Sequence, residues 1–500
     1  MEVRLRDYQQ ELVSKIHEAL KTKKHILVQA GVGSGKTVVF SHLTKEYSSS
    51  GLKVCILSNR TELLMQSGGS LERIGVKCEY VSPRHKNIPE GLVVSSMAQT
   101  LRRRAEDGEW LEWMKSVDVY IIDEAHMDDA SFIFDKIRHD AKVIGFSATP
   151  KRSGKQRQLG LDYEEIVSAI SIKELIAKDF LCPARYFTLD APDLTGVKYN
   201  PATGDYQEKS MGNIFDSPKR YEGLLENWQR ICPDSKTIVF CASQVHAIKT
   251  ALEFEKAGVE VRYIISGIPK DDEDYHFMEE TSRLTGKRKE LIQAFKDNKF
   301  KVLVNAQILT AGFDCPDVET IVMNKATLSP ATYIQAIGRG SRPAPGKDHF
   351  KVLDFGDNVH RLGLYENERT WSLWHETKEG GGVPLTRECG CNGKDRNGNE
   401  GCGRLIPITM GVCPFCGYSF MTPEELRKVE LREIVDGKFE FKDMTPKQMA
   451  AYCELQGYSK NYLFRQLYYG AEDRRQFVQG MRELGYDWKF SYFTYDRLSK

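Results

Sequence analysis

Two series of strand-length apolar runs, separated by longer amphipathic stretches, restrict this chain to an α/β architecture. ILV (26 to 28), VCILS (54 to 58), LVVSS (92 to 96), VYIID (119 to 123) and VIGFS (143 to 147) form the first series. TIVFC (237 to 241), VEVRYII (259 to 265), KVLVN (301 to 305), TIVMN (320 to 324) and HFKVLDF (349 to 355) form the second. Alternation of this kind signals parallel sheets with crossover helices, so two consecutive α/β units of similar size are expected. The stretch DAPDLTGVKYNPATGDY, within a linker and insertion over 166 to 220, reads as a loop or hairpin. The acidic run Asp271 to Asp274 reads as a solvated excursion of the second unit.

At 500 residues the chain exceeds what one core serves. Its 41% hydrophobic and 28% charged content is that of a soluble globular protein. No apolar run approaches the roughly 18 residues that would span a bilayer, and MEVRLRDYQQ has charges where a signal peptide needs an apolar core, so an intracellular, cytoplasmic protein without membrane contact is expected. The net charge of +1 supplies no global attraction for nucleic acid, so any such partner needs a local basic groove.

The first unit carries AGVGSGKT, Ala30 to Thr37, directly after an apolar run. Backbone N–H groups freed by Gly31, Gly33 and Gly35 and continued by Ser34 can cradle an anionic phosphate at a helix N-terminus. Lys36 reaches the β/γ-phosphates and Thr37 can ligate Mg²⁺. Ala30 stands where this loop usually begins with glycine. DEAH, Asp123 to His126, follows the run VYII. Asp123 would hold Mg²⁺ through water, and Glu124 would polarise an attacking water as general base. A nucleotide bound there needs positive charge from across a cleft. QAIGRGSR, Gln335 to Arg342, offers it: Arg339 and Arg342, three apart on an expected helical face, suit arginine fingers on a γ-phosphate.

With these motifs in order, the chain resembles a superfamily 2 helicase of the DEAH type. The resemblance covers residues 1 to about 365 and implies two RecA-like domains, at 1–165 and 221–375. It also implies, motif by motif, further roles. LRDYQ resembles the Q-motif, with Gln9 reading the adenine edge and Arg6 or Tyr8 packing near the base. SNRTELLMQ resembles strand-binding motif Ia, with Arg60 and Gln66. VVSSMAQTL resembles motifs Ib and Ic, with Ser96, Gln99 and Thr100. SATP resembles motif III, where Ser147 and Thr149, with His126, couple hydrolysis to domain movement. IVFCASQVHA resembles motif IV, with His246 toward nucleic acid. ILTAGFD resembles motif V, with Thr310 toward nucleic acid and Gly312 and Asp314 toward nucleotide, and Gln335 joins the catalytic set. The basic clusters Arg102, Arg103, Arg104 and Lys287, Arg288, Lys289 are further candidates for phosphate contact.

Of twelve cysteines, five crowd together after the GGGV at 380 to 383. Cys413 and Cys416 form a CPFCG knuckle; Cys402 and one of Cys389 and Cys391 complete four thiolates around tetrahedral Zn²⁺ in a ribbon over 385–420. Such a ribbon after a motor resembles RadD-type bacterial repair helicases and related phage DNA helicases. The remaining 421–500 reads as a small helical domain whose aromatics either form its core or stack bases. The resemblance implies ATP, Mg²⁺ and Zn²⁺ as cofactors and forked, branched or single-stranded DNA as substrate, with single-strand-binding or recombination proteins as partners. RNA unwinding and duplex translocation within a restriction complex are the alternatives.

Overall fold

In the computed structural model, residues 5–374 are described apart from 60, 153–156, 189–196, 201–202, 273, 307 and 310–312; further on, 386–388, 405–407, 432–433, 446, 463–464, 467–468, 471 and 473–498 are described.

The first series of runs becomes a seven-stranded, all-parallel sheet: β1 (His25–Gln29), β2 (Val54–Ser58), β3 (Glu79–Val81), β4 (Val93–Met97), β5 (Val119–Asp123), β6 (Lys142–Ser147) and β7 (Glu165–Ser168), in the order β3-β4-β2-β5-β6-β1-β7. Alternate residues of each strand enter different cores. Ile26, Val28, Ile56, Ile121, Ile144 and Phe146 face one layer; Leu27, Cys55, Leu57, Tyr120, Ile122 and Val143 face the other. Burial on both faces explains why the runs are continuously apolar. Helices α1 (Asp7–Thr22), α2 (Lys36–Ser49), α3 (Thr61–Arg73), α4 (Ala98–Arg104) and α5 (Gly108–Lys115) complete the unit.

After α6 (Ile172–Ala177), the second sheet opens with β8 (Ala184–Thr188). A small hairpin of β9 (Tyr199–Asn200) and β10 (Asp205–Tyr206) follows, then α7 (Glu208–Phe215) and α8 (Pro218–Ile231). The second series of runs supplies β11 (Thr237–Cys241), β12 (Val261–Ile264), β13 (Val302–Asn305), β14 (Thr320–Asn324) and β15 (Phe350–Asp354). Between them lie α9 (Gln244–Lys256), α10 (Tyr275–Glu280), α11 (Arg288–Lys296) and α12 (Pro330–Ile337), with α13 (Asn358–Leu362) after β15. A hairpin of β16 (Thr386–Glu388) and β17 (Leu405–Pro407) precedes β18 (Arg432–Glu433), which closes the order β12-β13-β11-β14-β15-β8-β18. Only β18 runs antiparallel in this sheet. The segment read as linker and insertion thus holds most of β7 and all of β8, each built into a different sheet. β7 has four residues and one buried position, and β8 opens with the exposed Arg185, which hid them in the apolar pattern.

The two units touch through the phosphate loop. Val32 packs among Ile334, Ile337 and their neighbours in the second core, and a Cβ on Gly338 would lie 2.5 Å from Val32 Cγ1. The chain also returns after the second sheet, where Gly160 N–H donates to Leu373 O at 2.7 Å. Farther on, α14 (Arg474–Glu483) and α15 (Trp488–Leu498) pack around Phe464, Leu467, Phe477 and Met481. No described helix is long and apolar enough to cross a membrane.

Candidate nucleotide site at the interface of the two sheets

Strand order decides which loops meet. β5, β6 and β1 are neighbours, in the registers Asp123↔Phe146 and Gln29↔Ser147, so their C-terminal ends deliver DEAH, SATP and the phosphate loop to one place. Ligands of open parallel sheets bind at these strand ends. A cavity of about 420 Å³ lies here, within the range of small-molecule sites.

One wall is Gly31, Gly33, Gly35, Lys36, Thr37, Asp123 and Glu124; the opposite wall is Phe313, Asp314, Gln335, Arg339 and Arg342 from the second sheet. Gly33 and Gly35 both hold φ of 82°, a left-handed conformation that side chains disfavour, and a Cβ on Gly35 would meet Gln9 Nε2 at 2.5 Å. The left-handed φ is what calls for glycine at 35, and any side chain there would also displace the Gln9 amide. Ser34 is buried, its hydroxyl donating to Gly31 O at 2.7 Å, so it braces the loop from within.

Lys36 Nζ donates to Ala30 O at 3.5 Å and stands 3.9 Å from Glu124 Oε1. Glu124 adopts φ of 52°, an uncommon setting for a non-glycine residue and one that recurs at functional sites. Burial first, then the Glu124 charge, raise the Asp123 carboxyl to about 7 against the pull of Lys36. A divalent cation would relieve that frustration, and Thr37 and Asp123 are the residues on this wall that fit Mg²⁺.

His126 joins two motifs. Its Nδ1 lies 2.9 Å from Ser147 Oγ and 3.4 Å from Glu124 Oε2, and Ser147 Oγ also accepts the Thr149 N–H at 3.0 Å. Burial lowers the His126 pKa, so the ring is neutral near pH 7 and acts as a hydrogen-bonding link. Arg152, just beyond SATP, pairs with Asp162 at 2.7 Å in a fully buried setting and donates to Ala125 O at 3.3 Å. The backbone of DEAH is thereby tied to the segment after motif III.

Gln335 Nε2 donates across the cleft to Glu124 Oε2 at 3.5 Å. The arginines do not share a helical face, because α12 ends at Ile337 and Gly338 begins a turn. They converge instead on one carbonyl: Phe313 O accepts from Arg339 Nη1 at 2.7 Å and from Arg342 Nη1 at 3.4 Å, while Arg342 also pairs with Asp314.

Several expected residues are placed elsewhere. Arg6 lines the cavity and its guanidinium stacks 4.3 Å over Phe180, an aromatic the motifs did not flag. Gln9 is instead buried beneath the loop, its Oε1 accepting the Arg6 N–H and its Nε2 donating to Ser34 O, so its amide supports the loop and is absent from the cavity lining. His246, expected toward nucleic acid, is buried between Phe215, Tyr221 and Asn324, its Nδ1 accepting the Ala242 N–H. Burial drives its pKa down to about 3. Ser96 is likewise buried at the end of β4, whereas Gln99 is exposed and Thr100 half-buried on the first turn of α4. Arg102 and Arg103 are exposed, but Arg104 stacks on Trp110 and donates to Ser82 O. Arg60, Thr310, Gly312 and the Gln66 side chain lie outside the described residues, as do Cys389, Cys391, Cys402, Cys413 and Cys416. Among the described residues no cluster of three His, Cys, Asp or Glu could hold a metal ion.

The sequence matches two family models: Type III restriction enzyme, res subunit, over 2–152, and Helicase conserved C-terminal domain over 222–344. These matches fall on the two sheets and make the chain similar to the superfamily 2 helicases. It is 29% identical over 374 residues to a Saccharomyces cerevisiae protein provisionally named ATP-dependent helicase IRC3, covering 70% of this chain and 51% of that one. The chain thus spans about half the length of that relative. A 51.5 kDa protein of Lactococcus phage 7-9 is 25% identical over 414 residues, covering 81% and 80% of the two chains. Among solved structures, a fragment of an HsdR subunit of a type I restriction enzyme from Vibrio vulnificus YJ016 superposes with a TM-score of 0.53 at 19% identity, covering 71% of this chain and 65% of that one. The ATP-dependent Type ISP restriction-modification enzyme LlaBIII, bound to DNA, gives 0.51 at 17% identity, covering 71% and 28%. These two superpositions bear on the fold of the paired sheets.

Proposed function

We propose that this chain is an ATP-driven DNA helicase or translocase that remodels forked or branched DNA in repair, recombination or replication. The observation that carries the reading is the composite cavity: Lys36, Asp123 and Glu124 on one sheet face Gln335, Arg339 and Arg342 on the other. The loop amides and Lys36 bind the β/γ-phosphates, and Glu124 takes a proton from the attacking water. The arginines leave Phe313 O to meet charge developing on the γ-phosphate. Thr37 and Asp123 would hold Mg²⁺, which when bound would neutralise charge on the phosphates. Because the two walls belong to separate sheets, a bound γ-phosphate favours their closure and its loss favours opening, a two-state hinge that moves nucleic acid laid across both.

Zinc belongs to the same proposal. β16 and β17, paired through Glu388 and Leu405, flank the sequence that carries Cys389, Cys391 and Cys402; Cys402 and one of the other two would supply two of four thiolates, with Cys413 and Cys416 supplying the rest. Single-strand-binding and recombination proteins are the partners that fork remodelling implies.

Steady-state ATP hydrolysis with single-stranded, duplex, forked and RNA cofactors tests the reading, together with unwinding of forked DNA. Stimulation and unwinding by DNA, both lost in Lys36→Ala and Glu124→Gln, are expected; stimulation by RNA alone overturns the choice of DNA. A second reading, a restriction-complex subunit that translocates on duplex DNA without unwinding, is favoured by the first domain's family match. Triplex displacement without strand separation would select it.

A further inference from the structure

The turn bearing both arginines is held by a residue outside every motif. Lys347 reaches back from the loop before β15, and its Nζ donates to Gly340 O at 2.6 Å, Arg342 O at 2.9 Å and Pro316 O at 2.9 Å. An ammonium has three N–H donors, so this one is saturated by three backbone carbonyls. Two of those carbonyls belong to the arginine turn. The third follows Asp314, beside the Phe313 carbonyl on which the arginines converge.

Other bonds complete the enclosure. Ser341 O accepts the Cys182 N–H at 2.7 Å, and Gly338 O accepts the Ser341 hydroxyl at 3.0 Å. Carbonyls just past a helix C-terminus lack intrahelical partners, and a cation there also complements the helix dipole.

We propose that Lys347 is the positioning residue that sets the arginine turn, and hence the reach of Arg339 and Arg342 into the nucleotide cavity. It is absent from the cavity lining and acts through the backbone of residues 340 to 342. The proposal rests on the reading of the cavity as an ATP site.

The same contact is sensitive to pH. Burial is the main influence on Lys347 and lowers its pKa to about 8; Cys182, Asp317, Glu319 and Cys315, which face it from two neighbouring segments, oppose the shift. Asp348 adjoins this group through Cys182. Loss of one proton leaves two donors and a lone pair for three carbonyls, so the turn loosens above that pH.

The experiment is steady-state, DNA-stimulated ATP hydrolysis by the full chain across about pH 6.5 to 9.5 for wild type, K347M and K347R. K347M should lower kcat by about 10–100-fold while KM for Mg-ATP moves less than about threefold, the pattern of misplaced transition-state groups. K347R keeps a charge at every pH but its planar fork cannot meet three converging carbonyls. It should lose about 3–10-fold at neutral pH and lack the fall that wild type shows through about pH 8. A K347M rate within about twofold of wild type overturns the proposal. So do identical pH profiles for wild type and K347R, a comparison that decides the matter even where K347M does not fold. A folded wild type inert toward ATP with every nucleic acid overturns the ATP-site reading itself and the role of Lys347 with it; an active wild type matched by K347M overturns the role of Lys347 alone.

Discussion

Gln335 and Glu124, 211 positions apart, meet across the cleft at 3.5 Å between Nε2 and Oε2. The amide comes from α12 of one sheet and the carboxylate from the loop after β5 of the other. The general base of the proposed reaction is therefore oriented partly by the domain that must close on it. Gln335→Ala should lower kcat by about 10–100-fold with a smaller effect on KM, because the lost contact matters most in the closed state. Gln335→Glu should be worse, since it sets a second carboxylate beside Glu124. Steady-state kinetics on both variants check this, and a Gln335→Glu enzyme faster than Gln335→Ala would contradict it.

Asp123 gives a pH dependence with a definite sign. Its carboxyl is raised to about 7, chiefly by burial and then by Glu124, so folding favours the protonated acid. The stability this lends is complete below the unfolded value of about 4 and is lost as pH rises through the folded value. Asp123→Asn cannot ionise. Without nucleotide it should melt a few degrees above wild type at about pH 8 and together with it near pH 4. Added Mg²⁺ should narrow the alkaline difference by stabilising the wild-type carboxylate. Equal melting temperatures at about pH 8 without metal would count against a raised Asp123.

Arg152 and Asp162 form a buried pair whose side chains are 1% and 0% exposed. Arg157 Nε, 2.7 Å from the other Asp162 oxygen, still pairs with the carboxylate when Arg152 is removed, so Arg152→Ala should cost less in denaturant unfolding than the about 3–5 kcal/mol of a fully stranded buried charge. It also releases Ala125 O, the carbonyl next to Glu124, so the surviving folded fraction should show a lower kcat. Arg152→Met with Asp162→Leu should recover most of the stability without recovering the rate. Recovery of both would make the pair structural alone.

The sheets were legible in the sequence because strands buried on both faces must be continuously apolar. VYIID and TIVFC are buried throughout and coincide with β5 and β11. β3 and β7 escaped notice because they have only three and four residues with one buried position each, and β8 because it opens with a half-buried alanine and the exposed Arg185. At the site, AGVGSGKT and DEAH could be read because contiguous residues do their chemistry. Phe180 and Asp314, as the partner of Arg342, act through single contacts between distant segments, and Lys347 acts through three backbone carbonyls; no local spacing encodes these. His246 shows the converse limit: a histidine beside a motif looks available, and only the packing of Phe215 and Tyr221 reveals that it is enclosed.

Asp314 offers the sharpest test of how the second wall is armed. It pairs with Arg342, but the side chains are 57% and 23% exposed, and an exposed pair contributes at most about 1 kcal/mol. Arg342 is thus held weakly, toward Asp314 and the Phe313 carbonyl, where a γ-phosphate can draw it away. Arg342→Ala should lower kcat by about 100–1,000-fold. Asp314→Ala removes the competitor and should raise the nucleic-acid-independent rate about 2–5-fold, the size expected from an interaction this weak. If Asp314 acts through Arg342, the double variant Asp314→Ala with Arg342→Ala should hydrolyse ATP no faster than Arg342→Ala alone, a strong non-additivity in a double-mutant cycle. Additive effects would instead mean that Asp314 has a role of its own at the nucleotide.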